Sequence, residues 1–332
     1  MEKEKRGCLK RREFIKTSLI GLAAMPAVRF KLLGQGPEKK TEIALVKTQD
    51  RKKAVKEILH LLDFPSLKDK KVLVKPNFNT ADPFPASTHN HTLASIIQEV
   101  KARGAARVTV GERSGPPPTQ EVMEEKGIFA MAGDLGFEVI NFEDLGEADW
   151  VHFQLPGFHW PEGFDVPRAV VEAPIIVSTC CLKTHQFGGI FTMSLKLSVG
   201  LTPKRLMRQL HRSPDMRKMI AELNTVYRPD VIIMDGLEVF VDGGPSSGKK
   251  ASADVFVGGT DRIAVDAVGV AILKELGSNE AIMGSRIFDQ EQISRAVELG
   301  LGISSPHQIE FITPDEPSRL YADKLREILA LG

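Results

Sequence analysis

The sequence predicts an α/β fold, a layered sandwich with a largely parallel central sheet flanked by helices. Three observations carry that expectation. From residue 41 onward, short apolar runs alternate with segments whose apolar residues recur at helical spacing. The 332 residues are 42% hydrophobic and 26% charged, ordinary for a globular chain with a sizeable core. No uninterrupted apolar run approaches the ~20 residues of a spanning helix, so no transmembrane domain is expected.

Residues 43–46 read as the first strand. A helix follows over 52–62, with Ala54, Val55, Ile58, Leu59 and Leu62 on one face. Residues 72–74 are a short buried strand ending in Lys75-Pro76-Asn77. After a loop containing Pro and Asp, Leu93, Ile96, Ile97 and Val100 mark one face of the next helix. It stops at Gly104, with Lys101 and Arg103 in the last turn, where the helix dipole favours cations. Residues 108–110 form another strand, followed by the loop Gly111-Glu112-Arg113-Ser114-Gly115-Pro116.

The second half repeats the alternation. Residues 175–179 lead into Cys180-Cys181-Leu182-Lys183-Thr184-His185, 231–234 end in Asp235-Gly236, and 254–257 precede Gly258-Gly259. A helix over 261–276 stops at Gly277, and Asp289 with Gln292 forms a capping box for a helix ending at Gly300. A strand over 309–312 and a helix over 317–329 follow. There is no repeat and no linker, so 41–332 reads as one α/β domain, with room for a subdomain around 145–170.

Residues 1–40 differ in kind. They hold eleven Lys/Arg and four Glu, so the net charge of +1 conceals a basic leader and an acidic body. Lys10 and the pair Arg11–Arg12, with Phe14 and Lys16, precede a twelve-residue apolar stretch over 17–28. A basic segment, a short apolar run and then small residues is the layout of an export signal, here resembling a bacterial twin-arginine signal. The expected partner is the twin-arginine export machinery and the expected location the periplasm or cell envelope, with an N-terminal anchor if the leader is retained. The acidic body gives no reason to expect nucleic acid. Cys8, Cys180 and Cys181 are too few for a disulfide framework or an iron–sulfur cluster.

In open α/β sheets, ligands bind beyond the carboxyl ends of the strands. Polar groups end four apolar runs here: Lys75 and Asn77, Glu112 and Arg113, Lys183 and His185, and Asp235. Together they predict one crevice in which lysines hold a carboxylate or phosphate. His185, Glu112 or Asp235 would move a proton there. Ala86-Ser87-Thr88-His89-Asn90-His91 precedes a helix, where capping explains part of the composition and anion binding is the other use. His89 and His91, joined by His185 and a carboxylate, would be candidate ligands of a divalent metal; any other cofactor is unknown. Asp266, inside an apolar helix, is either a buried structural acid or a site residue, and Lys196 is a lone charge in an apolar setting. Gly243 to Lys249 matches the start of a phosphate-binding loop. Lys250 stands where Ser or Thr is needed, however, and a strand follows. Removing a crevice residue should weaken ligand binding and leave stability nearly intact.

These residues fall into ordered blocks that resemble the domain of unknown function 362, over roughly residues 70–312. The blocks are Val72-Leu73-Val74-Lys75-Pro76-Asn77, Thr88-His89, Val110-Gly111-Glu112, Lys183-Thr184-His185 with Thr192 and Lys196, Asp235-Gly236 with Gly244-Pro245, Asp261 with Ala264-Val265-Asp266-Ala267, and the segment from Gln292 to Gly302. The resemblance implies no activity, and the polar residues the blocks share coincide with those picked from the strand ends; Lys75, Asn77, Thr88, Lys183 and Lys196 are the expected substrate-binding residues. Many members carry a ferredoxin-like cysteine cluster that this chain lacks. Where the pattern has Asn after the lysine, this chain has Leu197.

The expectation is an exported enzyme acting on a small anionic molecule by proton transfer, of the isomerase, lyase or hydrolase class. The alternative is a non-catalytic protein of the cell envelope that binds a cofactor or anion. The leader yields its own test: changing Arg11 and Arg12 to lysine should trap the protein in the cytoplasm, as fractionation would show, and unaltered export would refute the signal.

Overall fold

Among residues 40–332, which the computed structural model describes, eleven strands and twelve α-helices form. The twin-arginine leader lies outside the described residues except for Lys40. In chain order the first elements are β1 (Thr41–Lys47), α1 (Arg51–Leu61), β2 (Lys71–Lys75), α2 (Asn90–Ala102) and β3 (Arg107–Glu112). Next come α3 (Thr119–Glu125), α4 (Ile128–Leu135), β4 (Glu138–Asn141), β5 (Trp150–Phe153), β6 (Phe164–Pro167), α5 (Arg168–Val171), β7 (Ile175–His185) and β8 (Ile190–Thr192). They are followed by α6 (Ser194–Leu197), α7 (Met207–Arg212), α8 (Met216–Leu223), β9 (Val231–Gly243) and β10 (Gly248–Gly259). The last are α9 (Arg262–Glu275), α10 (Glu280–Met283), α11 (Glu291–Glu298), β11 (Ile309–Ile312) and α12 (Glu316–Leu331).

Nine strands make one sheet, in the order β11-β1-β10-β9-β7-β2-β3-β4 with β8 paired to β7. The run from β9 to β4 is parallel throughout, as is β1 with β11. β10 runs antiparallel to β9 and β1, and β8 antiparallel to β7. The expected largely parallel sheet is therefore present, with helices on both faces. On one face Ala54, Val55, Ile58 and Leu59 of α1 and Leu93, Ile96, Ile97 and Val100 of α2 pack on Val72, Val74 and Val110. On the other, α9 packs on Leu182, Ile232 and Val257, and is covered in turn by Ala322, Leu325 and Leu329 of α12. α9 is buried from Arg262 to Leu273, which explains its apolar residues all round. β5 and β6 form a separate antiparallel ribbon over a third apolar cluster that includes Phe142, Trp160 and Phe164.

Two features depart from the sequence expectation. β4 sits at the sheet edge with its residues half-buried, so Glu138-Val139-Ile140-Asn141 lacks the apolar run that announces a central strand. β7 does not stop at residue 179 but continues to His185, and β9 continues past Asp235 to Gly243. Polar residues inside long strands look like strand ends when only apolar runs are read. The phosphate-loop match is the turn of the β9–β10 hairpin, and the strand expected after it is β10.

That turn lies against β7. Gly244 has φ +72°, and a Cβ there would stand 2.0 Å from the Thr184 carbonyl oxygen. Both the left-handed backbone and the space exclude a side chain. Gly244→Ala should therefore destabilise the protein by on the order of 2 kcal/mol or more, read as a lower urea midpoint with an unchanged m-value.

Candidate functional site

β2 ends at Lys75 because Pro76 has no N–H to continue the ladder. Its last partner on β7 is Ser178, so residues 179–185 of β7 project beyond the carboxyl end of β2. Lys183 and His185, two apart on one strand, lie on one side of that overhang. β3 ends alongside, at Glu112. Together these strand ends enclose a cavity of about 50 Å³, lined among others by Lys75, Asn77, Glu112, Arg113, Lys183, His185, Thr192 and Lys196. That volume holds a few waters or one small anion.

The cavity floor is an ion pair. Lys75 Nζ lies 2.5 Å from Glu112 Oε1 and donates to the Pro76 carbonyl at 2.8 Å, with both side chains buried. Glu112 also accepts from the backbone N–H of Phe78 at 2.8 Å and of Arg113 at 2.9 Å. Arg113 donates to the carbonyls of Thr202 and Ser114, each at 2.8 Å, and to Val199, which pins the segment carrying Gly200 over the ion pair. A Cβ on Gly200 would meet Glu112 Oε1 at 2.6 Å and Lys75 Nζ at 2.9 Å, so only glycine fits beneath that roof.

Lys183 Nζ donates to the carbonyls of Ala86 and, at 3.2 Å, Pro245. Lys196 has no hydrogen bond or ion pair among the described residues. Burial lowers the pKa of Lys75 and Lys183, and pushes Lys196 down to about 7 with help from Lys183 and Arg113. Burial first, then Lys196 and Lys183, drives His185 far down, so its imidazole is neutral. Three buried polar atoms of the lining have no partner: Asn77 Oδ1, His185 Nδ1 and Thr192 Oγ1. Buried polar groups are almost always paired, so orphans that converge on one cavity mark room for a ligand.

Of the residues expected at the crevice, Lys75, Asn77, Glu112, Arg113, Lys183, His185 and Lys196 converge and the others do not. Asp235 is mid-strand in β9 and is claimed by Arg51 at 3.0 Å and Thr92 at 2.6 Å beneath α1 and α2. Burial raises its pKa despite those partners. Thr88 is a loop tie: its Oγ1 accepts from the Asn77 N–H at 2.8 Å, and its own N–H donates to the Asn77 carbonyl at 2.8 Å. His89 caps α2, its Nδ1 accepting from the His91 N–H at 3.1 Å. Neither His89 nor His91 lines the cavity with His185, and among the described residues no group of three or more His, Cys, Asp or Glu is placed to hold a metal ion. Asp266 lies outside the cavity lining, against the turn that carries Lys196. Its carboxyl accepts from the N–H groups of Ser194 at 2.7 Å and Leu195 at 3.1 Å, so it caps the turn that presents Lys196. Burial raises Asp266 to about 7. Cys180 and Cys181 are buried free thiols with raised pKa, which leaves them unreactive at neutral pH.

Gly200, Asn79 and Pro245 also line the cavity and carry no chemistry in the sequence; Thr192 does so too, and its only signal is its place in the block with Lys183. The model of DUF362, a domain of unknown function, matches residues 72–271, well over half of the chain. The chain belongs to this family. Every residue lining the cavity falls inside the DUF362 match, whereas the block from Gln292 to Gly302 lies beyond it. No curated protein matches the sequence. A solved structure, the lactate racemase apoprotein from Thermoanaerobacterium thermosaccharolyticum, is similar at 14% identity and a TM-score of 0.47, covering 73% of this chain and 60% of that one.

The ion pair changes one expected outcome. Removing Lys75 strands a buried carboxylate, so Lys75→Met should cost about 3–5 kcal/mol of stability rather than almost nothing. Adding Glu112→Gln should restore part of it, because Gln still accepts from the Phe78 N–H. A double-mutant cycle in denaturant measures both.

Proposed function

We propose that this protein is an enzyme that binds a small anion in the β2–β3–β7 cavity and moves a proton on it. The observation that carries the reading is the convergence of Lys75, Lys183, Lys196 and Arg113 on a cavity with one carboxylate, Glu112, and three orphaned polar atoms. Lys75 and Glu112 neutralise each other, and Arg113 is held by carbonyls. Lys183 and Lys196 are left to attract the anion. His185 is the proton carrier: a buried, neutral imidazole of the cavity lining whose Nδ1 has no partner. Glu112 already accepts with both oxygens, so its part is to fix Lys75. The shifted, enclosed amines and imidazole favour catalysis over binding alone. The reaction class stays within isomerase, lyase and hydrolase chemistry, and the basic leader supports action outside the cytoplasm.

Calorimetry with acetate, malonate, pyruvate and inorganic phosphate tests the site, and deuterium exchange at carbon, followed by NMR, tests the chemistry. Lys183→Gln should abolish binding. His185→Gln should keep binding and lower exchange by about 100-fold or more. Binding with no exchange by the unaltered protein would favour the non-catalytic reading, and binding unaffected by Lys183→Gln would refute the site. The pH dependence has a definite sign. Lys196 is a cation below about pH 7 and neutral above it, so anion affinity should fall as the pH rises through about 7. Lys196→Met should flatten that profile and lower affinity about tenfold on the acid side.

A further inference from the structure

We infer that Lys196 captures a carbonyl carbon covalently, as a Schiff base, so that the anion this cavity takes is an oxo acid. The inference rests on the anion-binding reading above and goes beyond it. A simple anion clamp needs only charge, and Lys183 supplies that from a side chain tied to two carbonyl oxygens. Lys196 is built differently. It lines the same cavity with no hydrogen bond or ion pair among the described residues, so its nitrogen is free to bond to carbon.

Its surroundings fit carbinolamine chemistry. A Cβ on Gly189 would lie 2.8 Å from Lys196 Cε and 2.9 Å from His185 Nδ1, so the amine stem and the imidazole pack side by side on the Gly189 backbone. That close approach is possible because residue 189 has no side chain. Thr192 Oγ1, buried and unpartnered, is a further hydrogen-bonding group on the cavity wall. In the reaction, neutral Nζ attacks the carbonyl carbon and the C–N bond forms. The two amine protons and the carbonyl oxygen then leave as water, and His185 relays one proton to the departing hydroxyl. No oxidant or reductant is consumed. With an amine that titrates near neutrality, a substantial fraction is unprotonated at physiological pH. A desolvated lysine beside another cation is a known way to make such a nucleophile. The carboxylate of the oxo acid would meet Lys183, which holds the carbonyl against Lys196.

Borohydride trapping on the full chain tests this, with pyruvate as the probe. Hydride addition to the imine carbon, with a solvent proton on nitrogen, would leave a stable secondary amine. Peptide mass spectrometry should find the adduct on Lys196. It should vanish in Lys196→Gln and fall about tenfold or more in Gly189→Ala, which keeps every charge and pushes the Lys196 stem and the His185 ring out of place. Pyruvate binding by calorimetry, measured without borohydride, separates the two claims. Binding without an adduct at Lys196 overturns the Schiff base and leaves the anion site standing. Absence of pyruvate binding overturns the oxo-acid assignment, and absence of binding by every anion of the panel removes the site itself. Adducts scattered over surface lysines and indifferent to Gly189→Ala also overturn the inference.

Discussion

Neither Lys75 nor Glu112 reaches water, and that constraint organises the carboxyl edge of the sheet. A buried charge is tolerated only with an opposite charge and hydrogen bonds for its remaining lone pairs and protons. Two parallel strands that end side by side, one in lysine and the other in glutamate, meet the first condition. The second is met by drawing in the chain that follows each strand. The Phe78 and Arg113 N–H groups turn toward Glu112, and Arg113 then ties down the segment at Val199 to Thr202. The cavity wall is thus a by-product of satisfying one ion pair, and its roof at Gly200 follows from how closely that segment must approach.

Much of the fold was legible because apolar periodicity reports burial, and burial is what separates strand from helix here. The apolar face of α2 is buried as expected, as are Ala54, Val55, Ile58 and Leu59 of α1, whereas Leu62 follows the helix half-buried; the capping box expected at Asp289 and Gln292 does not form, since α11 starts after Gln290 with no side-chain cap. The site was legible where a strand truly ends: Lys75 and Glu112 are the final residues of β2 and β3. Asp235 was misread for a local reason. Its strand continues, and whether a mid-strand acid faces a cavity or a helix depends on partners far away in sequence, here Arg51 and Thr92. No periodicity encodes that. Lys183 and His185 were placed rightly although their strand does not end where expected, because the overhang of β7 past β2 does what a loop would have done.

Asp266 shows a further limit of reading residues singly. In sequence it is an anomaly in an apolar helix. In the structure it is the acceptor for two N–H groups at the start of α6, a helix preceded by Met193, which makes no side-chain cap of its own. Its contribution reaches the cavity through Lys196, two residues into that turn. Two separate blocks of the sequence, one holding Lys196 and the other Asp266, thus meet through the Ser194 and Leu195 N–H groups.

The overhang of β7 bears on the thermodynamics of recognition. Side chains borne on a flexible loop must be frozen when a ligand arrives, at about 0.5–1.5 kcal/mol for each long one. Lys183 and His185 instead project from backbone already locked into a ladder with β8 and β9, and Lys183 is further held by two carbonyls. Most of their freedom was surrendered when the protein folded. A ligand entering this cavity would therefore lose less of its contact energy to ordering these two side chains.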